Sequence, residues 1–295
     1  MSDQHSPLWR NFESLQPVAP GVKRYLLVNQ AAFADHMAPV QGLAAFQKCP
    51  LLKQAEEACR DTATPFVLAL GGALSDKGRT RALRNLCDAG CYGSALSVID
   101  SDLSLHDLAN ALTARCDAQL PESYDVLLRY FDTRIVTTLI HVLSPAELEA
   151  FFSCVQSWWY SDRSGALVQA FSAGVQGSEK FAAPLRLNVE QQNAFIQAGE
   201  TDAVIDVLVQ NKVEPLLDMP YPERHPTVDR YLVAAGDWRL SSPRDLASYC
   251  TLALVYGEGF ATQPPWDTVL AAVKRGEIPL HEAIASIESA TSQSA

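Results

Sequence analysis

Cys87 and Cys91 stand four residues apart, close enough for two thiolates to share a metal ion. A zinc site, however, needs a second close pair of Cys or His, and none accompanies them. His106, His141 and His281 fall singly on segments with helical spacing, and His225 lies between Arg224 and Pro226 in a predicted turn. All four read as structural or solvated histidines. A serine hydrolase elbow requires Gly-x-Ser-x-Gly at a strand-to-helix turn; Ser94, in CYGSAL, does not supply it. Gly71-Gly72 and Gly257-Glu258-Gly259 are compact glycine clusters, but neither extends to GxGxxG or to a Gly-Lys-Ser/Thr phosphate loop. The first reads as a tight chain reversal, which glycine permits at low steric cost. Carboxylate pairs occur at Glu56-Glu57 and Asp100/Asp102. Acid–base work needs two carboxylates facing one cleft in different environments, and these read instead as a solvated helix face and a helix-start cluster. The expectation is a protein without catalytic residues, metal or cofactor.

One cluster is of another kind. Arg129, Asp132 and Arg134 lie in LLRYFDTR, where a predicted buried strand meets the next helix. Alternation along a strand would put Arg129 and Phe131 on one face, while Asp132 is placed to cap the helix and to pair with an arginine. A partly buried arginine held by a carboxylate is commonly structural, because either charge left alone would cost several kcal/mol. A partner-facing arginine is the functional alternative. Trp158, Trp159 and Tyr160 follow in the same region. A strand sends Trp159 to one face and its neighbours to the other, so one side belongs to the core and the other is a candidate aromatic anchor for a protein partner.

The elements that position these residues can be read from hydrophobic spacing. Residues 24–28, 64–70, 93–99 and 124–131 read as strands, the second a continuous apolar run with Pro65 near its entry. Residues 43–60 read as helical with a break at Pro50, and helical stretches also cover 79–87, 104–116 (Ser104 and Asp107 as a capping box) and 132–143. Ser144-Pro145 starts a further short helix. Residues 154–160 and 166–171, joined by SDRSG, read as a hairpin. Strands alternating with helices predict an α/β domain with a substantially parallel sheet flanked by helices. Residues 172–183, rich in Gly, Ser and Ala, read as a connection. Beyond it the spacing is helical at 190–198, 202–210, 227–235, 243–256, 266–274 and 280–287, with start signals at Asn188/Gln191, Thr201, Ser242-Pro243 and Pro279. The expected organisation is an N-terminal extension (1–22), an α/β domain (23–182), an all-α lobe (183–288) and a tail (289–295).

Composition narrows the partners. The chain of 295 residues is 48% hydrophobic and 19% charged with net charge −11, and neither half has a basic excess. Nucleic acid and anionic lipid are therefore not expected partners, since both need clustered Lys and Arg. The N-terminus lacks the apolar core of a secretory signal, and no apolar run approaches the roughly 18 to 20 residues that span a bilayer. The seven scattered cysteines read as reduced, buried thiols. A cytoplasmic protein is the expectation.

The run LLRYFDTRIVTTLIHVLSPAELEAFFSCVQSWWY is similar to the arginine–aromatic–aromatic–aspartate signature of the type VI secretion effector adaptors. RYLLV, TPFVLAL and SLHDLANALTARC precede it in the order that family shows, and the resemblance covers roughly residues 24–160, with an α-helical lobe at about 185–275. Thr133 departs from the family, which commonly has Pro between the Asp and the Arg; Thr there should loosen the junction without removing charge. The resemblance implies a non-catalytic chaperone that holds a toxin effector and loads it onto a valine-glycine-repeat (VgrG) spike protein. A cytoplasmic immunity protein against a neighbouring toxin, and an α/β enzyme using carboxylates near Asp100 and Asp132, are the alternatives.

Overall fold

A computed structural model describes residues 5–52, 64–71, 76–172 and 180–293. Glu56-Glu57, Cys59, Gly72, most of the predicted connection at 172–183 and the last two residues lie outside the described residues. The chain divides into two compact units, Met1–Gln197 and Ala198–Ala295.

The first unit is built on a six-stranded sheet in the order β2-β3-β1-β4-β7-β8. Its strands are β1 (Lys23–Val28), β2 (Lys48–Pro50), β3 (Phe66–Ala69), β4 (Leu96–Ser101), β7 (Ser157–Ser161) and β8 (Leu167–Ser172). Every pairing in it is antiparallel, which corrects the expected parallel sheet. The cause lies in what covers the sheet. Residues of one parity (Tyr25, Leu27, Val67, Ile99, Trp158) pack on one side, and those of the other (Leu26, Val28, Leu68, Leu96, Val98) on the opposite side. Burial on both faces makes strands continuously apolar, a pattern usual in parallel sheets, and here an antiparallel sheet has it. The helix α3 (Lys77–Gly90) between β3 and β4 is a crossover whose two parallel strands are separated by β1, inserted antiparallel between them.

Helices α4 (Leu105–Ala114), α5 (Thr133–Val142) and α6 (Pro145–Phe152) cover the first face. The second is covered by α3 and α1 (Pro7–Glu13), which buries Leu8, Trp9 and Phe12, together with α2 (Ala38–Gln41) and the 3₁₀ turns Gln30–Phe33 and Gly42–Ala45. The helix expected over 43–60 is thus replaced, where described, by a 3₁₀ turn and edge strand β2. A second, three-stranded sheet has the order β6-β5-β9, from β5 (Asp117–Gln119), β6 (Asp125–Leu127) and β9 (Leu185–Arg186), with β5 and β9 parallel. The strand expected over 124–131 shrinks to β6, and all three of its residues are exposed rather than buried.

Helix α7 (Val189–Gln210) is continuous through residues 199–201, where two helices were expected. No proline interrupts it, and Thr201, read as a cap, instead donates its hydroxyl to Asp229 at 2.9 Å. The second unit has α8 (Glu214–Leu217), α9 (Tyr221–Gly236), α10 (Pro243–Tyr256), α11 (Trp266–Lys274) and α12 (Leu280–Gln293) around a core that includes Leu208, Val228, Cys250, Phe260 and Leu270. His225-Pro226, expected in a turn, lies inside α9.

Candidate functional site

The signature residues converge on the N-terminus of α5. The Leu128 amide donates to the Cys116 carbonyl (2.8 Å), and the chain then turns as the Asp132 amide bonds to Arg129 O (2.8 Å). Inside that turn Tyr130 is fully buried. Its hydroxyl donates to Leu112 O (2.6 Å), and its ring meets Phe151 and Trp158 edge-on, with centroids 5.4 and 5.9 Å away. Burial raises the Tyr130 phenol well above its usual range, which keeps it a neutral donor.

Asp132 is the cap expected from the sequence. One carboxylate oxygen accepts the Arg134 amide (3.1 Å), and the pair with the Arg134 guanidinium closes at 2.7 and 3.0 Å. The carboxylate is buried while Arg134 remains about one-third exposed. Arg129 does not belong to a buried ion pair: its side chain is exposed, with the guanidinium 5.8 Å from the Phe131 ring centre. Thr133 corrects a further expectation. It is buried, donating its amide to Ser94 O (3.1 Å) and its hydroxyl to Ser161 O (2.5 Å). Thr133 therefore ties the start of α5 to the end of β7 through its hydroxyl and to the chain just before β4 through its amide, two bonds that a proline could not make.

The consecutive tryptophans separate as alternation requires. Trp158 is fully buried between Tyr130 and Phe152, and its indole N–H has no hydrogen-bond partner among the described residues. Trp159 points to the opposite face and is half-buried against the second core cluster. The Arg24 guanidinium lies 5.6 Å from its ring centre. Arg24 also grips Asp100 through two bonds of 2.7 and 2.8 Å and donates to Gln16 O (2.9 Å). Gln16, Val22, Arg24, Asp100, Gln156 and Trp159 line an open cavity of about 450 Å³. Trp159 is thus a wall of a pocket and is not a free-standing anchor. Asp100 and Asp132, the carboxylates of the enzyme alternative, are each engaged by a different arginine.

Arg24 and Arg115 escaped the sequence reading. Arg115 is buried and reaches the carbonyls of Phe151, Ala111 (2.6 Å) and Ala150 (3.4 Å) and the Ser153 hydroxyl (3.1 Å). It thereby satisfies the C-terminal carbonyls of α6, where a cation is favoured. Its one signal was a basic residue ending the apolar helix ALTARC.

Among the described residues, no group of three or more His, Cys, Asp or Glu is placed to hold a metal ion. Cys49 Sγ lies 3.5 Å from His106 Nδ1. His281 Nδ1 lies 2.7 Å from Asp245, which also accepts the His281 amide and the Ser242 hydroxyl. No helix is long and apolar enough to cross a membrane among the described residues.

The outer strand β6 adds an exposed apolar edge beside this junction. Tyr124, Val126 and Leu127 are 67, 37 and 49% exposed, whereas the adjoining Leu128 is buried.

Residues 24–150 match a family model described as a domain of unknown function, DUF4123. The matched segment begins at Arg24 and ends within α6, so it contains the Arg24–Asp100 pair, β6 and the Asp132 cap. No curated protein and no solved structure matches the chain.

Proposed function

We propose that this chain is a non-catalytic adaptor of bacterial type VI secretion, binding a toxin effector and loading it onto its cognate VgrG spike. The observation that carries the reading is the DUF4123 match over residues 24–150, a family associated with such adaptors. The match encloses the Arg129–Asp132 signature on which the sequence resemblance rests. Two structural features support a binding role. The carboxylates best placed by sequence for acid–base chemistry are committed to arginines, and the surface beside the signature exposes Tyr124, Val126, Leu127 and Arg129. Aromatic and arginine side chains such as Tyr124 and Arg129 are enriched where proteins meet.

Deletion of the gene in its native host tests the reading. Delivery of one effector and its association with the spike should be lost while the secretion apparatus still fires. Unchanged delivery of every effector would refute the adaptor role. Tight inhibition of a purified toxin by this chain would establish an immunity protein instead.

A further inference from the structure

Among the described residues, the hydrogen-bond register of the small sheet leaves one edge open in a specific way. Leu120 N–H donates to Tyr124 O and Leu128 N–H to Cys116 O, both at 2.8–2.9 Å. Ala118 and Val126 are therefore the hydrogen-bonded pair between β5 and β6. By the same alternation the N–H and C=O groups of Asp125 and Leu127 point away from β5. The other side of β5 is taken by β9, where Leu187 N–H donates to Gln119 O (2.9 Å).

Sheet edges are usually guarded by proline, charge or a covering element. The six-stranded sheet follows that rule. Its β2 edge carries Pro50, and on its β8 edge the Leu167 amide is taken by the Asn11 side chain of α1 at 3.1 Å. Strand β6 has no proline, all three of its residues are exposed, and a β-branched valine lies between Tyr124 and Leu127. The charge nearest the strand is acidic. Among the described residues, Asp117, Glu122 and Asp125 are exposed near the edge, with the exposed cations Arg129 at its end and Arg186 on β9, across β5.

The geometry points to β6 as a docking edge to which an extended, basic segment of the effector adds as a fourth strand. This rests on the adaptor reading above. Backbone bonds to Asp125 and Leu127 would supply the register. Alternate apolar side chains of the segment would cover Val126 and Tyr124, and its Lys or Arg residues would meet Asp117, Glu122 and Asp125.

The test uses the 295-residue chain and the purified effector whose delivery the deletion abolishes. Leu127→Pro deletes one outward N–H without touching the ladder to β5, a kind of strand position that accepts proline. Its melting temperature should match wild type while effector affinity falls about tenfold, as expected for one lost interfacial hydrogen bond and its neighbours. Asp125→Lys should weaken binding further at low salt than at high salt. In the wild-type complex, hydrogen exchange should slow at the Asp125 and Leu127 amides, a measurement that decides the matter even if Leu127→Pro folds poorly. Full-strength binding by a well-folded Leu127→Pro, or unprotected Asp125 and Leu127 amides in the complex, would overturn the docking edge and leave the adaptor reading intact. If wild type does not bind the effector at all, the adaptor reading fails and this inference with it.

Discussion

Asp132→Ala and Arg129→Ala separate the structural part of the signature from its exposed part. Asp132 caps α5, and replacing such a cap by alanine costs typically about 1 kcal/mol. The ion pair to Arg134, whose side chain is one-third exposed, adds less than about 1 kcal/mol after solvent screening. Removing the carboxylate strands no buried charge, because Arg134 can turn to water. The sum lies between about 1 and 2 kcal/mol, and in a unit of this size each kcal/mol lowers the melting temperature by roughly 2–4 °C. Asp132→Ala should therefore melt about 2–8 °C below wild type. Asp132→Asn, which keeps a capping oxygen, should recover about half of that loss. Arg129 contributes only an exposed cation–ring contact at 5.8 Å, in the range of about 0.5–1 kcal/mol. Its alanine variant should melt within about 4 °C of wild type, so any loss of partner binding would report direct contact. Thermal circular dichroism with urea titrations reads all three variants. Were Arg129→Ala to cost as much as Asp132→Ala, the assignment of Arg129 to the surface would be wrong.

Other expectations follow from single contacts. Thr133→Pro removes the bonds to Ser94 O and Ser161 O and should cost about 2–3 kcal/mol in urea unfolding; a neutral or stabilising effect would contradict the ties from α5 to β7 and to the chain before β4. Arg115→Met leaves the carbonyls at the end of α6 unsatisfied and should cost at least about 3 kcal/mol, and a smaller loss would show that water replaces the guanidinium. Burial pushes the Asp245 carboxyl up, but hydrogen bonds from the His281 side chain and backbone and from Ser242 outweigh it and hold the carboxyl below its ordinary 3.8. A depressed folded-state value gives stability that is present above the unfolded value and lost as pH falls through the folded one. The stability gap between wild type and Asp245→Asn should accordingly narrow on going from about pH 5 to about pH 2, and a constant gap would refute the linkage. Burial pushes the Cys116 and Cys250 thiols up to about 12, so mass-spectrometric alkylation at pH 8 should label both slowly in the native chain and rapidly in urea.

Local capping chemistry was legible in the sequence because its partners lie within one helical turn. Ser104 accepts the Asp107 amide, Ser242 the Asp245 amide, and Asn188 and Gln191 exchange reciprocal bonds, each at a position where the residue pattern placed a helix start. Ser144 closes a capping box with Glu147 in the same way. Strand direction was not legible. Val67 and Leu68, or Val98 and Ile99, are buried on opposite faces whichever way the neighbouring strand runs, so an apolar run records double coverage and carries no sign of direction. The insertion of β1 between β3 and β4 depends on pairings tens of residues apart, which the spacing within each strand does not encode.

The site divides along the same line. Asp132 could be identified as a cap from its own neighbours, but the exposure of Arg129 could not, because it depends on a turn closed by Asp132 N–H and on how far β6 continues. Leu127 and Leu128 make the point at its simplest. The two leucines are adjacent and chemically identical, yet Leu128 is buried in the first core cluster and Leu127 is 49% exposed. Their difference is set by strand parity against β5, whose Ala118 side faces the core and whose Asp117 side faces water. Trp158 and Trp159 obey the same parity in β7, with the opposite result: both faces there are covered, one by α5 and α6 and the other by the segment around Gln16 and Arg24. An aromatic pair that looked exposed on one side is therefore spent on packing. A leucine that looked buried is left beside the open edge of β6, where an added strand would cover it.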